Sequence, residues 1–97
     1  MILVRFVFQT KWGKANEVVA AFKETQKIFG EQFGRSRILT DLSGPLHTVV
    51  QEIEVESLAE WERRRAELFS QSEYQERQAR AVELIESGRA EFYTIEA

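Results

Sequence analysis

Residues 40–61 read TDLSGPLHTVVQEIEVESLAEW, and the way this stretch divides decides the fold. Gly44-Pro45 is a turn signal, and Pro45 has no backbone N–H to give to a ladder. The flanking residues 37–42 and 47–56 are rich in β-branched and aliphatic side chains and read as two strands joined by that turn. Ser57 and Glu60 have the spacing of a capping box, in which the serine accepts from the Glu60 N–H and the glutamate reaches back. A helix therefore follows at once, with Leu58, Trp61, Leu68 and Phe69 on one face. Asp41, His47 and Glu52 invite a catalytic reading, because His47 is the only histidine of the chain. Strand alternation opposes it. Asp41 and His47 fall on opposite faces, whereas an acid–base dyad needs hydrogen-bond contact.

The same periodicities extend in both directions. Residues 2–9, ILVRFVFQ, form a strand with Ile2, Val4, Phe6 and Phe8 on one face and Leu3, Arg5, Val7 and Gln9 on the other. Residues 14–29 follow a helical period, with a stripe of Ala15, Val18, Val19, Phe22, Gln26 and Phe29, and Gly30 and Gly34 are both possible stops. The second helix breaks near 70–72, where Ser72 and Gln75 repeat the capping spacing. The next helix carries Tyr74, Ala81, Val82 and Ile85 and ends at Gly88, and residues 89–96 alternate as a last strand. The order β-α-β-β-α-β, in one domain over 1–97, is that of the ferredoxin-like α+β class with a four-stranded antiparallel sheet.

Bulk composition narrows the function. A chain of 97 residues supports only a small core, so its seven phenylalanines and two tryptophans favour self-association. A net charge of −3 disfavours a nucleic-acid partner, which needs concentrated basic surface. With no cysteine and one histidine, disulfides and the usual zinc sets are excluded, and neither a metal nor another cofactor is expected. The N-terminal MILVRFVFQT is interrupted by Arg5 and is too short to span a bilayer, so no membrane association and a cytoplasmic location are expected.

Comparing the sheet faces gives the sharpest inference. Ile2, Val4, Phe6, Phe8, Ile38, Thr40, Leu42, Val49, Gln51, Ile53 and Val55 form an almost wholly apolar face that should lie beneath the helices. The other face mixes Leu3, Val7, Leu39 and Val50 with Arg5, Arg37, Asp41, Glu52 and Glu54. Bare solvent does not favour that many aliphatics, and a monomer core does not tolerate the charges. A second copy of the chain facing this surface satisfies both, with Arg5 facing Glu52 or Glu54 across adjacent antiparallel strands to pair the charges.

Several residues are candidates for ligand contact. Thr40 and Gln51 are polar exceptions on the apolar face, and buried polar groups need partners. Trp12 lies in the loop after the first strand, His47 follows the turn, and Tyr74 offers a hydroxyl. Glu52, Glu54 and Glu56 recur on one face at about 7 Å, too widely for one metal. The Arg63-Arg64-Arg65 run reads as a solvated helix face, the other reading being an anion site.

HTVVQEIEVESLAEWE (47–62) and SGRAEFYTIE (87–96) resemble the NIPSNAP-like branch of the dimeric α+β barrel proteins, which also include antibiotic-biosynthesis monooxygenase-type domains. The resemblance implies a homodimer whose two sheets close into a barrel, with small ligands held between sheet and helices. Haem-degrading relatives use a helix histidine and a first-strand asparagine, and this chain has neither in those places. The expectation is thus a homodimer binding a small apolar or aromatic molecule in the sheet–helix cleft. The alternative is a cofactor-independent monooxygenase acting on a phenolic or polyketide-like substrate, with no catalytic residue assigned.

Overall fold

In the computed structural model, which describes residues 1–97, the alternating N-terminal run is strand β1 (Ile2–Thr10). It is followed by α1 (Ala15–Phe33), β2 (Arg35–Thr40), β3 (Thr48–Val55), α2 (Leu58–Phe69), α3 (Ser72–Val82) and β4 (Ile85–Thr94). The strands form one four-stranded sheet in the order β2-β3-β1-β4. All three pairings are antiparallel. This is the ferredoxin-like arrangement, with β1 and β3 central. No helix is long and apolar enough to cross a membrane.

The helices lie on the expected face of the sheet. Val4 and Ile53 are neighbours in register and both have no exposed surface. They join Val55, Phe29, Phe33, Trp61, Leu68 and Tyr74 in one buried cluster. Val18, Phe22, Val49 and Ala81 form a second. Ser57 caps α2, its hydroxyl accepting from the Glu60 N–H at 3.1 Å. The returning Glu60 carboxylate accepts from the Glu56 N–H at 3.3 Å, one residue earlier than a strict capping box has it.

Of the two stops open to α1 the structure takes Gly34, and four other boundaries differ from the sequence reading. Helix α1 runs past Gly30 to Phe33, with a local departure from helical geometry at Phe29. Phe29 and Phe33 are both buried, so packing carries the helix across a residue that propensity alone would make a stop. Strand β2 ends at Thr40, which leaves Leu42 fully exposed in the turn region rather than beneath the helices. His47 precedes β3 with φ of 60°, so strand alternation does not govern its direction. Gln71, not Ser72, is the N-cap of α3, and the Gln75 side chain instead donates to the Phe69 carbonyl. Helix α3 ends at Val82, and Ile85 and Gly88 belong to β4. Gly88 lies opposite Phe8 in register, and a Cβ there would come within 2.8 Å of the Phe8 ring. Its glycine serves a close approach within the sheet, not a helix stop.

The uncovered face carries the mixed set. Arg5 pairs in register with Glu52, their charged groups 3.5 Å apart. Glu52 is buried at 6% exposure and also meets Arg37 at 2.6 Å. Arg5 reaches Glu91 on β4 at 3.6 Å. Around this network stand Leu3, Val7, Val50 and Leu39, with Tyr93 half-exposed beside Leu3 in register.

Candidate functional site

A cavity of about 170 Å³ lies at the seam of the two core clusters, between the sheet and the helices. Strand alternation points Phe6, Phe8, Gln51 and Ile53 into it, and the helical stripes bring Phe22, Phe33, Trp61, Leu68, Phe69 and Tyr74 over them. Its aromatic walls are mutually braced. Phe8 meets Phe22 edge-on at 5.4 Å, Phe6 lies 5.7 Å from Trp61, and Tyr74 packs edge-on against Phe29 and Phe69 at 5.4 and 5.1 Å. Such contacts fix the wall geometry beyond what area burial does.

Four polar side chains reach this apolar space: Gln51, Tyr74, Gln78 and Arg65. Gln51 stands at the centre of the sheet floor, paired in register with Phe6 on one side and Ile38 on the other. Burial pushes the Tyr74 hydroxyl above its usual value, only partly offset by Gln78 and the Arg65 charge. At neutral pH Tyr74 is therefore a neutral hydroxyl that both donates and accepts. An apolar slot with a few convergent polar groups is the arrangement of a small-molecule site.

Of the residues singled out in the sequence, the cavity unites Gln51 and Tyr74. Thr40 pairs with Val49 but stands exposed at the end of edge strand β2, outside the cavity. Trp12 and His47 also lie outside it, packed edge-on at 4.4 Å with Trp12 76% exposed. His47 donates nothing to Asp41. The Asp41 carboxylate instead accepts from the Thr48 N–H at 2.9 Å, and the Asp41 N–H donates to the Thr48 carbonyl at 3.3 Å. Glu52 is held on the uncovered face, so Asp41, His47 and Glu52 form no common site.

By residue type Gln78 carries no signal in the sequence beyond its polar run, and Arg65, part of a run read as a solvated face or an anion site, reaches the cavity. The further signal is their position relative to aromatic neighbours. Arg65 is four residues before Phe69 and Gln78 four after Tyr74, spacings that stack side chains on one helix face.

No family model matches the chain, and no curated protein does so. Solved structures share its fold. An uncharacterized NIPSNAP domain protein from Burkholderia xenovorans superposes with a TM-score of 0.89 at 21% identity, over 100% of this chain and 96% of the other. A NIPSNAP family protein from Agrobacterium tumefaciens does so at 0.89 and 23% identity, over 96% and 90%. A cofactor-independent oxygenase from Streptomyces nogalater is more distant, at 0.75 and 15% identity over 99% and 93%. The chain thus has the α+β fold of NIPSNAP-domain proteins, with the monooxygenase-type domains further off.

Proposed function

We propose that this NIPSNAP-like protein binds a small aromatic or apolar molecule in the cavity between sheet and helices. The observation that carries the proposal is the central position of Gln51. Its side chain stands on an otherwise apolar floor and lines the same cavity as Tyr74. A half-buried amide in an apolar wall forgoes packing there, whereas one that orients a ligand is a specificity element. The volume of about 170 Å³ fits one aromatic ring, since apolar cavities near 150 Å³ take up benzene. A ligand that binds only the folded chain raises its unfolding temperature by mass action. Millimolar p-cresol should therefore raise the melting temperature, and an unchanged temperature at saturating phenol would refute the proposal.

The binding unit is a homodimer in this reading. The uncovered sheet face offers Leu39 and the half-buried Leu3 beside the Arg5–Glu52–Arg37 network, over Val7 and Val50 buried beneath them, a surface suited to a second copy with the same charges in reverse order.

A second reading is a cofactor-independent monooxygenase acting on a phenol. The favouring observation is the fold shared with the Streptomyces nogalater oxygenase, together with Tyr74 and Gln51 available to hydrogen-bond a phenolic oxygen. Trp12 and His47 take no part, being outside the cavity. Oxygen uptake with anthrone tests it: turnover supports catalysis, and its absence with a ligand still bound leaves binding alone.

A further inference from the structure

Three consecutive arginines leave α2 in three directions, because each residue turns the helix by about 100°. Arg63 points outward and pairs with Glu67 at 2.8 Å. Arg64 turns toward the end of α1, where it meets Glu60 at 2.6 Å and donates to the Phe33 carbonyl at 3.1 Å. Arg65 has neither kind of partner. Its guanidinium rests over the Phe69 ring, 5.5 Å from the centroid.

The place where this free cation stands is specific. Arg65 lines the sheet–helix cavity, and it also lines an adjoining groove of about 460 Å³ between α2 and β4. Phe6 and Trp61 line both as well, so the two spaces meet at these three side chains. The groove exists because β4 offers Ala90 and a half-exposed Phe92 on the helix side, with no large side chain filling the gap to Leu58. A ring held in the cavity would thus have its substituent emerging under a guanidinium.

We propose that the ligand is a monocarboxylate, an aryl-alkanoic acid with a single ring in the cavity and its carboxylate on Arg65. This rests on the binding role proposed above and specifies its ligand class. The planar guanidinium matches a carboxylate through two parallel hydrogen bonds, and stacking on Phe69 holds the fork in place. Glu62 lines the same groove, so a dianion such as a phosphate monoester meets repulsion that a monocarboxylate meets less. The remaining walls of the groove are largely apolar, which suits a short methylene spacer.

The test compares 3-phenylpropionate with the neutral 3-phenyl-1-propanol by calorimetry and by heteronuclear NMR on the full chain. The acid should bind about tenfold more tightly, the weight of one charge-assisted contact at a partly exposed site, and lose that advantage at high salt. Arg65→Gln should abolish the acid's advantage over the alcohol, and Arg65→Lys should keep part of the difference. Equal binding of both compounds by the unmodified chain, or tighter binding of the alcohol, overturns the carboxylate proposal while leaving the cavity as a binding site. An acid preference that survives in Arg65→Gln overturns the role of Arg65. If neither compound shifts resonances of Gln51, Leu68 or Tyr74, the cavity reading fails as well.

Discussion

At the scale of single residues, Gln51 and Gly34 show two ways a side chain can be fixed by its surroundings. Gln51 is a half-buried amide on an aromatic floor. Gln51→Met preserves length while removing the amide. Chemical denaturation should show a gain of about 1 kcal/mol, with p-cresol affinity reduced. Gly34 ends α1 with φ of 67°, and a Cβ there would lie 2.6 Å from a guanidinium nitrogen of Arg64. The same arginine satisfies the Phe33 carbonyl. Gly34→Ala meets both backbone strain and displacement of Arg64, and should destabilise the fold by about 1–3 kcal/mol in urea unfolding. Neither consequence was legible from the residue type alone. Gly30 and Gly34 look alike in the sequence, and only the burial of Phe33 between them decides which one stops the helix.

At the scale of elements, the periodic segments were legible and their ends were not. The stripe Val18, Phe22, Phe29 and the facing sets Val4 and Ile53 follow from period alone, whereas the register decides between Glu52 and Glu54 as the partner of Arg5, in favour of Glu52. His47, Thr40 and Trp12 lie outside the cavity for different reasons: His47 has φ of 60° and escapes alternation, Thr40 keeps its register but stands at the exposed end of an edge strand, and Trp12 packs on His47. The start of β4 was hidden by Ser87-Gly88, a local stop signal that pairing with β1 overrides. The start of α2 carries a pH consequence. The hydrogen bond from Arg64, and then its charge, hold the Glu60 carboxyl below its ordinary 4.5. A depressed carboxylate stabilises the fold above its unfolded value and loses that contribution as pH falls through the lower folded value. Glu91, held low chiefly by its hydrogen bond from Arg89, acts in the same sense. In urea titrations between about pH 5 and pH 3, Glu60→Gln should show a shallower loss of stability than the unmodified chain. An identical slope would remove Glu60 from the acid transition.

At the scale of the whole molecule, the sheet divides two tasks. One face, closed by three helices, encloses the cavity. The other carries an ion network ringed by aliphatic side chains. Sedimentation equilibrium at micromolar concentration should give twice the chain mass of 11.3 kDa. Leu39→Glu adds a charge at the β2 edge of that surface and should shift the equilibrium toward monomer without unfolding, since Leu39 is 38% exposed in the single chain. A monomer in the unmodified protein would refute the dimer and leave the cavity untouched.

The claim on which the rest depends is that the space beneath the helices receives a ligand. Heteronuclear NMR titration of the full chain with p-cresol measures this most directly. Saturable, single-site shifts confined to cavity residues are expected, Phe22, Gln51, Leu68 and Tyr74 among them, with the Trp12–His47 tip unmoved. Shifts centred on that tip or on the uncovered sheet face, or no saturable shifts at all, would contradict the claim.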